Sequence, residues 1–224
     1  SVNTEESLLK SARIYFNQKN YPKAIERYTE LERVTQSMSN KHEALRNITS
    51  AYYSNNQYQE AIVAAQKLID NTSISESEKN EARAVIARSA YQLNDLPQAQ
   101  AEFIKLVKLK SSELGAEANY HLALIEYQNG KYTESEKLVF DLINNFASFE
   151  YWIAKSFILL SDVYVATGNY YQAKYTLQSV IDNYKGEDLL AEARQKLDNI
   201  IALEKQAEQS SQGDGEKILN GQNE

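Results

Sequence analysis

Few residues in this 224-residue chain could do covalent chemistry, and their spacing argues against it. The two histidines, His42 and His121, stand 79 positions apart. Neither has a second histidine four residues away, as a helical zinc site requires, nor a serine and aspartate arranged for nucleophilic attack. Cysteine is absent, which removes thiolate metal sites, cysteine nucleophiles and a disulfide framework. No glycine cluster follows a strand pattern, so no phosphate-cradling loop is expected. His121 reads as a groove-lining or partly buried imidazole. The carboxylates are scattered as on a solvated helix face. Catalysis, a bound cofactor and a metal centre are therefore not expected. What remains is arginine and aromatic side chains, the types that dominate noncovalent interfaces.

Composition narrows the partners. The net charge is −7, against a phosphate-backbone partner, since such binding rests on lysine and arginine neutralising phosphates. Charge is uneven: residues 1–112 hold 15 Lys and Arg against 13 Asp and Glu, and residues 113–224 hold 9 against 18. No apolar run approaches the ~20 residues of a membrane span. With 16 Tyr against 6 Phe and 1 Trp, the rings suit a thin protein in which packed faces keep wet hydroxyls.

The elements that must position these side chains follow from periodicity. In residues 151–184, Phe157, Leu160 and Tyr164 mark one face of a helix, and Tyr170, Ala173, Leu177, Val180 and Tyr184 mark another. Gly168-Asn169 separates them, with glycine suited to the left-handed cap that ends a helix. Such a hairpin cannot bury both faces alone, and copies are found. Ala24, Ala61, Ala99, Ser135 and Ala173 each follow a large apolar residue by three, at spacings of 37, 38, 36 and 38. A small residue also recurs in the first helix, as Ala12, Thr49, Ala87, Ala123 and Ser161. Pro22 and Pro97 fall in the first turn of second helices, where a missing N–H costs little. Asn40 with Glu43 and Ser75 with Glu78 have capping-box spacing.

This pattern resembles the tetratricopeptide repeat over roughly residues 5 to 185. Tyr15, Tyr52 and Tyr164 match the aromatic that precedes the family's turn, while Ala90 and Glu126 depart from it. The resemblance implies an all-α fold, a right-handed superhelix (α-solenoid) of five hairpins at residues 5–38, 40–74, 76–111, 113–148 and 150–185. A closing helix at 187–206 and a disordered polar tail at 207–224 complete the reading. In such arrays first helices line a concave groove. The stripe facing it contains Arg13, Phe16 and Asn17, then Arg46 and Tyr53, then Arg88, Tyr91 and Gln92, then Tyr120, Leu124, Tyr127 and Gln128. Phe16, Tyr53, Tyr91 and Tyr127 form an aromatic ladder with arginines in the first three repeats. The rings have a second reading, packing between adjacent first helices, and both can hold. Terminal-carboxylate clamping, known in one subfamily, is discounted because Ser50 and Glu81 stand where an amide and a lysine are wanted.

Between the fourth and fifth hairpins lie Phe146, Phe149, Tyr151 and Trp152, read as the seal of a long joint in preference to a recognition pocket. The expected function is a non-catalytic scaffold that binds a protein or peptide. The alternative is a structural self-assembly module within a longer repeat protein, forming homo-oligomers through an uncapped amino-terminal end around Leu8 and Ile14. The turns Gly-Lys-Tyr and Gly-Asn-Tyr resemble bacterial envelope members of the family, which favours periplasm or cell envelope over cytoplasm.

Overall fold

The computed structural model describes residues 2–71 and 73–220. Every regular element among them is an α-helix, and the chain divides into two compact units, Ser1–Leu109 and Lys110–Glu224. The first unit contains α1 (Val2–Asn17), α2 (Tyr21–Val34), α3 (Met38–Ser54), α4 (Tyr58–Ile69), α5 (Glu76–Gln92) and α6 (Leu96–Leu106). The second contains α7 (Glu113–Gln128), α8 (Tyr132–Asn145), α9 (Glu150–Ala166), α10 (Tyr170–Asn183) and α11 (Glu187–Asn220). Within the first unit, first helices meet in sequence, α1 with α3 and α3 with α5. The second helices α2 and α4 each lie against the first helix of their own hairpin and that of the next. Within the second unit α7, α9 and α11 meet in the same way, with α8 and α10 packed against them.

One turn geometry recurs five times. Lys19, Asn56, Asn94, Gly130 and Gly168 all have φ between 57° and 76°, the left-handed region. Each closes its helix with the paired bonds of a Schellman motif. In the fourth hairpin the Gly130 N–H donates to the Tyr127 carbonyl at 2.9 Å and the Lys131 N–H to the Glu126 carbonyl at 2.9 Å. The first hairpin repeats this from Lys19 to Phe16 and from Asn20 to Tyr15, also at 2.9 Å. Lysine carries a Cβ penalty in this region that glycine does not. We expect Lys19→Gly to stabilise the first hairpin by about 0.5–1 kcal/mol. Gly130→Ala is expected to destabilise by about 1 kcal/mol through backbone strain alone, because a Cβ at Gly130 meets no atom within 4 Å. Urea unfolding followed by circular dichroism reads both.

Caps and prolines account for the helix starts. Pro22 and Pro97 sit in the first turns of α2 and α6. Ser75 and Glu78 form a reciprocal capping box on α5. Asn40 is not a cap: α3 begins earlier, at Met38, with Ser37 in extended conformation accepting the Asn40 N–H. Likewise α1 starts at Val2, ahead of the expected residue 5.

The small residues let the two helices of each hairpin cross closely. Ala12, Ala24, Ala61, Ala87, Ala99, Ala123, Ser135, Ser161 and Ala173 are all fully buried. Larger side chains fill the remaining interior: Tyr28, Leu31, Phe103 and Leu106 in the first unit, Ile125, Leu142, Phe146 and Leu177 in the second. On α11, Leu189, Ala193 and Ile200 join Ala154 and Ile158 of α9 and Leu177 and Val180 of α10 in one apolar cluster.

One expectation about the ends changes. Helix α11 does not stop at residue 206 but runs to Asn220, since propagation from a formed helix costs little per residue. The last part of the expected tail, 221–224, lies outside the described residues. At the amino-terminal end, Leu8 is buried and Ile14 is 55% exposed. A shallow recess on α1 is lined by Asn3, Glu6, Ser7, Lys10, Ser11 and Ile14, so Ile14 is the one large apolar group there.

Candidate functional site

In the first unit, α1, α3 and α5 carry the predicted Arg13, Phe16, Asn17, Arg46, Tyr53, Arg88, Tyr91 and Gln92. Arg13, Asn17, Arg46 and Gln92 are exposed, while Phe16, Tyr53, Arg88 and Tyr91 are half-buried. The ladder rings do not simply stack between successive first helices. Phe16 packs edge-on against Tyr21 with centroids 5.8 Å apart, and Tyr53 meets Tyr58 at 5.7 Å. Each contact crosses the turn within one hairpin, because the Schellman geometry brings the end of the first helix beside the first residue of the second. Tyr127 and Tyr132 repeat it in the second unit at 5.7 Å. The rings are thus fixed in place while part of each surface stays open.

Arg13 is engaged differently from the expectation. Its Nε donates to Glu43 Oε1 at 2.6 Å and its Nη2 to Glu43 Oε2 at 2.7 Å, a bidentate pair joining α1 to α3. These hydrogen bonds, against the opposing effect of burial, hold the Glu43 carboxyl below its usual range, and the nearby charges of Arg13 and Arg46 add to the pull. An acidic ligand would have to compete with Glu43 for Arg13. Arg46 shares a polar recess of about 150 Å³ with Ser39, His42, Glu43 and Glu78. His42 Nε2 lies 4.0 Å from Glu78 Oε1 across α3 and α5. The sequence stripe missed Glu43, His42 and Glu78, although their regular offsets from Arg46 on α3 and from the Ser75 cap on α5 were available.

In the second unit the predicted residues separate. Leu124 and Tyr127 are half-buried and Gln128 exposed on α7, but Tyr120 is buried. The Trp152 ring of α9 covers it at 5.6 Å, with Lys155 Nζ 5.2 Å from its centroid. Tyr127 faces instead the ion pair of Asp162 on α9 with Lys196 on α11, whose Nζ donates at 2.7 and 2.9 Å. Burial first, and then the Asp162 charge, raises its phenol above the usual value. Phe146 and Trp152 are buried, and Phe149 lies 6.5 Å from Phe146, so this cluster seals a joint. His121 is mostly buried, 3.9 Å from Glu117 Oε1 and 6.3 Å from the Trp152 ring.

Outside the stripe, the Tyr164 hydroxyl donates to Glu136 Oε1 at 2.8 Å, tying α9 to α8. Burial, followed by this bond and the Glu136 charge, pushes its phenol up to about 12 from 10.0. A folded-state pKa above the unfolded one means that its contribution is intact below pH 10 and is lost as pH rises toward 12. Tyr164→Phe should therefore flatten the fall in melting temperature across that window. It should not abolish the fall, because Tyr28, Tyr127 and Tyr184 are also shifted upward.

Among the described residues no group of three or more His, Asp or Glu side chains could hold a metal ion, and no helix is long and apolar enough to cross a membrane. Paired helices with small crossing residues, identical turns and half-exposed rings on the first helices define an all-helical repeat protein of the α-solenoid class. The tetratricopeptide repeat profile matches residues 9–73 and 85–144, and a second tetratricopeptide profile matches residues 150–186. The chain belongs to the tetratricopeptide repeat family.

Solved structures share the fold at low identity. The crystal structure of MamA protein has a TM-score of 0.63 at 15% identity, covering 81% of this chain and 92% of that one. Nearly identical TPR-like repeats of a putative kinesin light chain from Podosopora anserina give 0.61 at 16% identity, covering 85% and 96%. YrrB, described as a TPR protein with an unusual peptide-binding site, gives 0.58 at 16%, covering 82% and 88%. No curated protein matches. The fold is one that serves as a scaffold for protein interactions.

Proposed function

We propose that the chain is a non-catalytic protein-binding scaffold whose ligand is a peptide or protein segment held on the first-helix surface, the concave face expected of such arrays. The observation that carries this is the fixed aromatic row. Phe16 and Tyr53 are pinned by Tyr21 and Tyr58 yet half-exposed, so their rings can make contact with little loss of conformational freedom. Arg46 and Asn17 stand exposed on the same helices and supply polar contacts. In the second unit Leu124, Tyr127 and Gln128 are the corresponding contacts, while Tyr120 is buried. The Arg13–Glu43 pair lowers the weight of acidic groups in the ligand and raises that of apolar and amide groups. An envelope location in a bacterium is part of the proposal, supported by the turn sequences and tested by fractionating cells that express the tagged chain.

The test is capture from the native lysate with the chain beside a Tyr53→Ala, Tyr91→Ala, Arg46→Glu variant whose helicity is checked by circular dichroism. The proposal expects at least one protein to be retained by the chain and lost by the variant. Identical captured sets would place the interaction elsewhere and overturn it.

A further inference from the structure

On the second unit, α9 and α10 line an open groove of about 360 Å³, and none of its residues belongs to the stripe named above. That volume suits one bulky apolar side chain with its backbone. Ile153 and Phe157 of α9 and Val180 of α10 supply apolar lining, and Glu150 and Tyr184 stand at one end. Neither lysine nor arginine lines it among the described residues. Glu150 is the one charged side chain in that lining. Burial first, then the charge of Asp188, then Tyr151 and Glu150, hold the Tyr184 phenol above its usual value. Ser179 also lines the groove, and beside it α10 turns Tyr171 and Tyr175 outward, 72% and 68% exposed, farther than any other large apolar or aromatic side chain described. Their ring faces can accept a cation from the same ligand.

We propose that this groove docks a partner segment in which a bulky apolar residue is flanked by lysine or arginine. The apolar side chain enters over Phe157 and Val180, one flanking cation meets Glu150 and Asp188, and another lies over the Tyr171 and Tyr175 rings. An acidic segment is rejected by the same carboxylates. This places a second recognition surface on the unit, with a charge preference of its own.

The probe is a fluorescein-labelled peptide, Lys-Lys-Leu-Phe-Lys-Lys, titrated with the full chain by fluorescence polarisation. Saturable binding is expected, about tenfold tighter or more than for Glu-Glu-Leu-Phe-Glu-Glu or Lys-Lys-Gly-Ser-Lys-Lys. Ser179→Trp, which fills the groove, should weaken binding about tenfold. The milder pair Glu150→Gln with Asp188→Asn leaves the apolar lining intact and should weaken it about fivefold. Arg46→Glu, on the other unit, should leave it unchanged, so that failure here and failure of the first-helix proposal are told apart. Three results each overturn the proposal: no saturable binding of the basic apolar peptide, equal binding of the glycine-serine peptide, or unchanged affinity in the carboxamide pair and in a helical Ser179→Trp chain.

Discussion

Replacing Trp152 by alanine is expected to cost the second unit about 3–5 kcal/mol, the range for deleting a buried large aromatic. Its ring is 9% exposed and touches three others, Tyr151 at 5.0 Å, Tyr120 at 5.6 Å and His121 at 6.3 Å. Lys155 Nζ sits 5.2, 5.4 and 5.5 Å from the rings of Tyr120, Tyr151 and Trp152 and donates to the Tyr151 hydroxyl at 3.2 Å. A single ammonium therefore draws rings from α7 and α9 together, and removing the indole opens a cavity and weakens the cation's surroundings at once. Trp152→Phe should cost much less, about 1–2 kcal/mol, because the indole Nε1 is buried with no hydrogen-bond partner and its loss removes a desolvation penalty. Trp152 is the chain's one tryptophan, so both variants are followed by far-ultraviolet circular dichroism in urea. A loss below about 1 kcal/mol for the alanine variant would mean that the cluster relaxes freely and is not a packing unit.

Ser135→Leu is expected to be nearly as damaging, about 2–4 kcal/mol, by overpacking the crossing of α7 and α8. Ser135 is fully buried, and its hydroxyl donates to the Ala123 carbonyl at 2.8 Å, twelve residues back on the facing helix. A leucine there would need to push α8 away and would leave that carbonyl without its extra donor. Ser135→Ala tests the argument from the other side. Alanine occupies the same column at Ala24, Ala61, Ala99 and Ala173, so the hairpin should accept it at a cost of about 1 kcal/mol or less. If the alanine and leucine variants melted alike, the hydroxyl and not the spacing would be what matters.

The repeat was legible because its signals are local. A small residue twelve positions after another, with a turn between, fixes a hairpin whatever surrounds it, and all five turns close with the same bonds. The turn residues themselves were only half legible. Gly130 and Gly168 announce a left-handed cap, but Lys19 takes that conformation against its intrinsic preference, held by the two bonds of the motif. Side-chain pairing between hairpins was not legible. Whether Arg13 meets a ligand or Glu43 depends on the axial offset of α1 against α3, which no sequence spacing within one helix determines. Tyr120 illustrates the same gap: its stripe position is right for the groove, yet the ring of Trp152 arriving from α9 covers it. Helix α11 shows the converse, a polar composition read as a tail that continues helically from a packed start.

The neighbour-only packing within each unit has a kinetic consequence. Because α2 and α4 lie only between first helices adjacent in sequence, and α8 and α10 do likewise, each contact closes a short stretch of chain. Short closures lose little entropy before they are rewarded, which places folding in the microsecond-to-millisecond regime of local helical topologies. No single nucleus is needed: any hairpin can form first and recruit the next. Amide exchange should then slow from the outermost α1 toward α3, whose middle is buried.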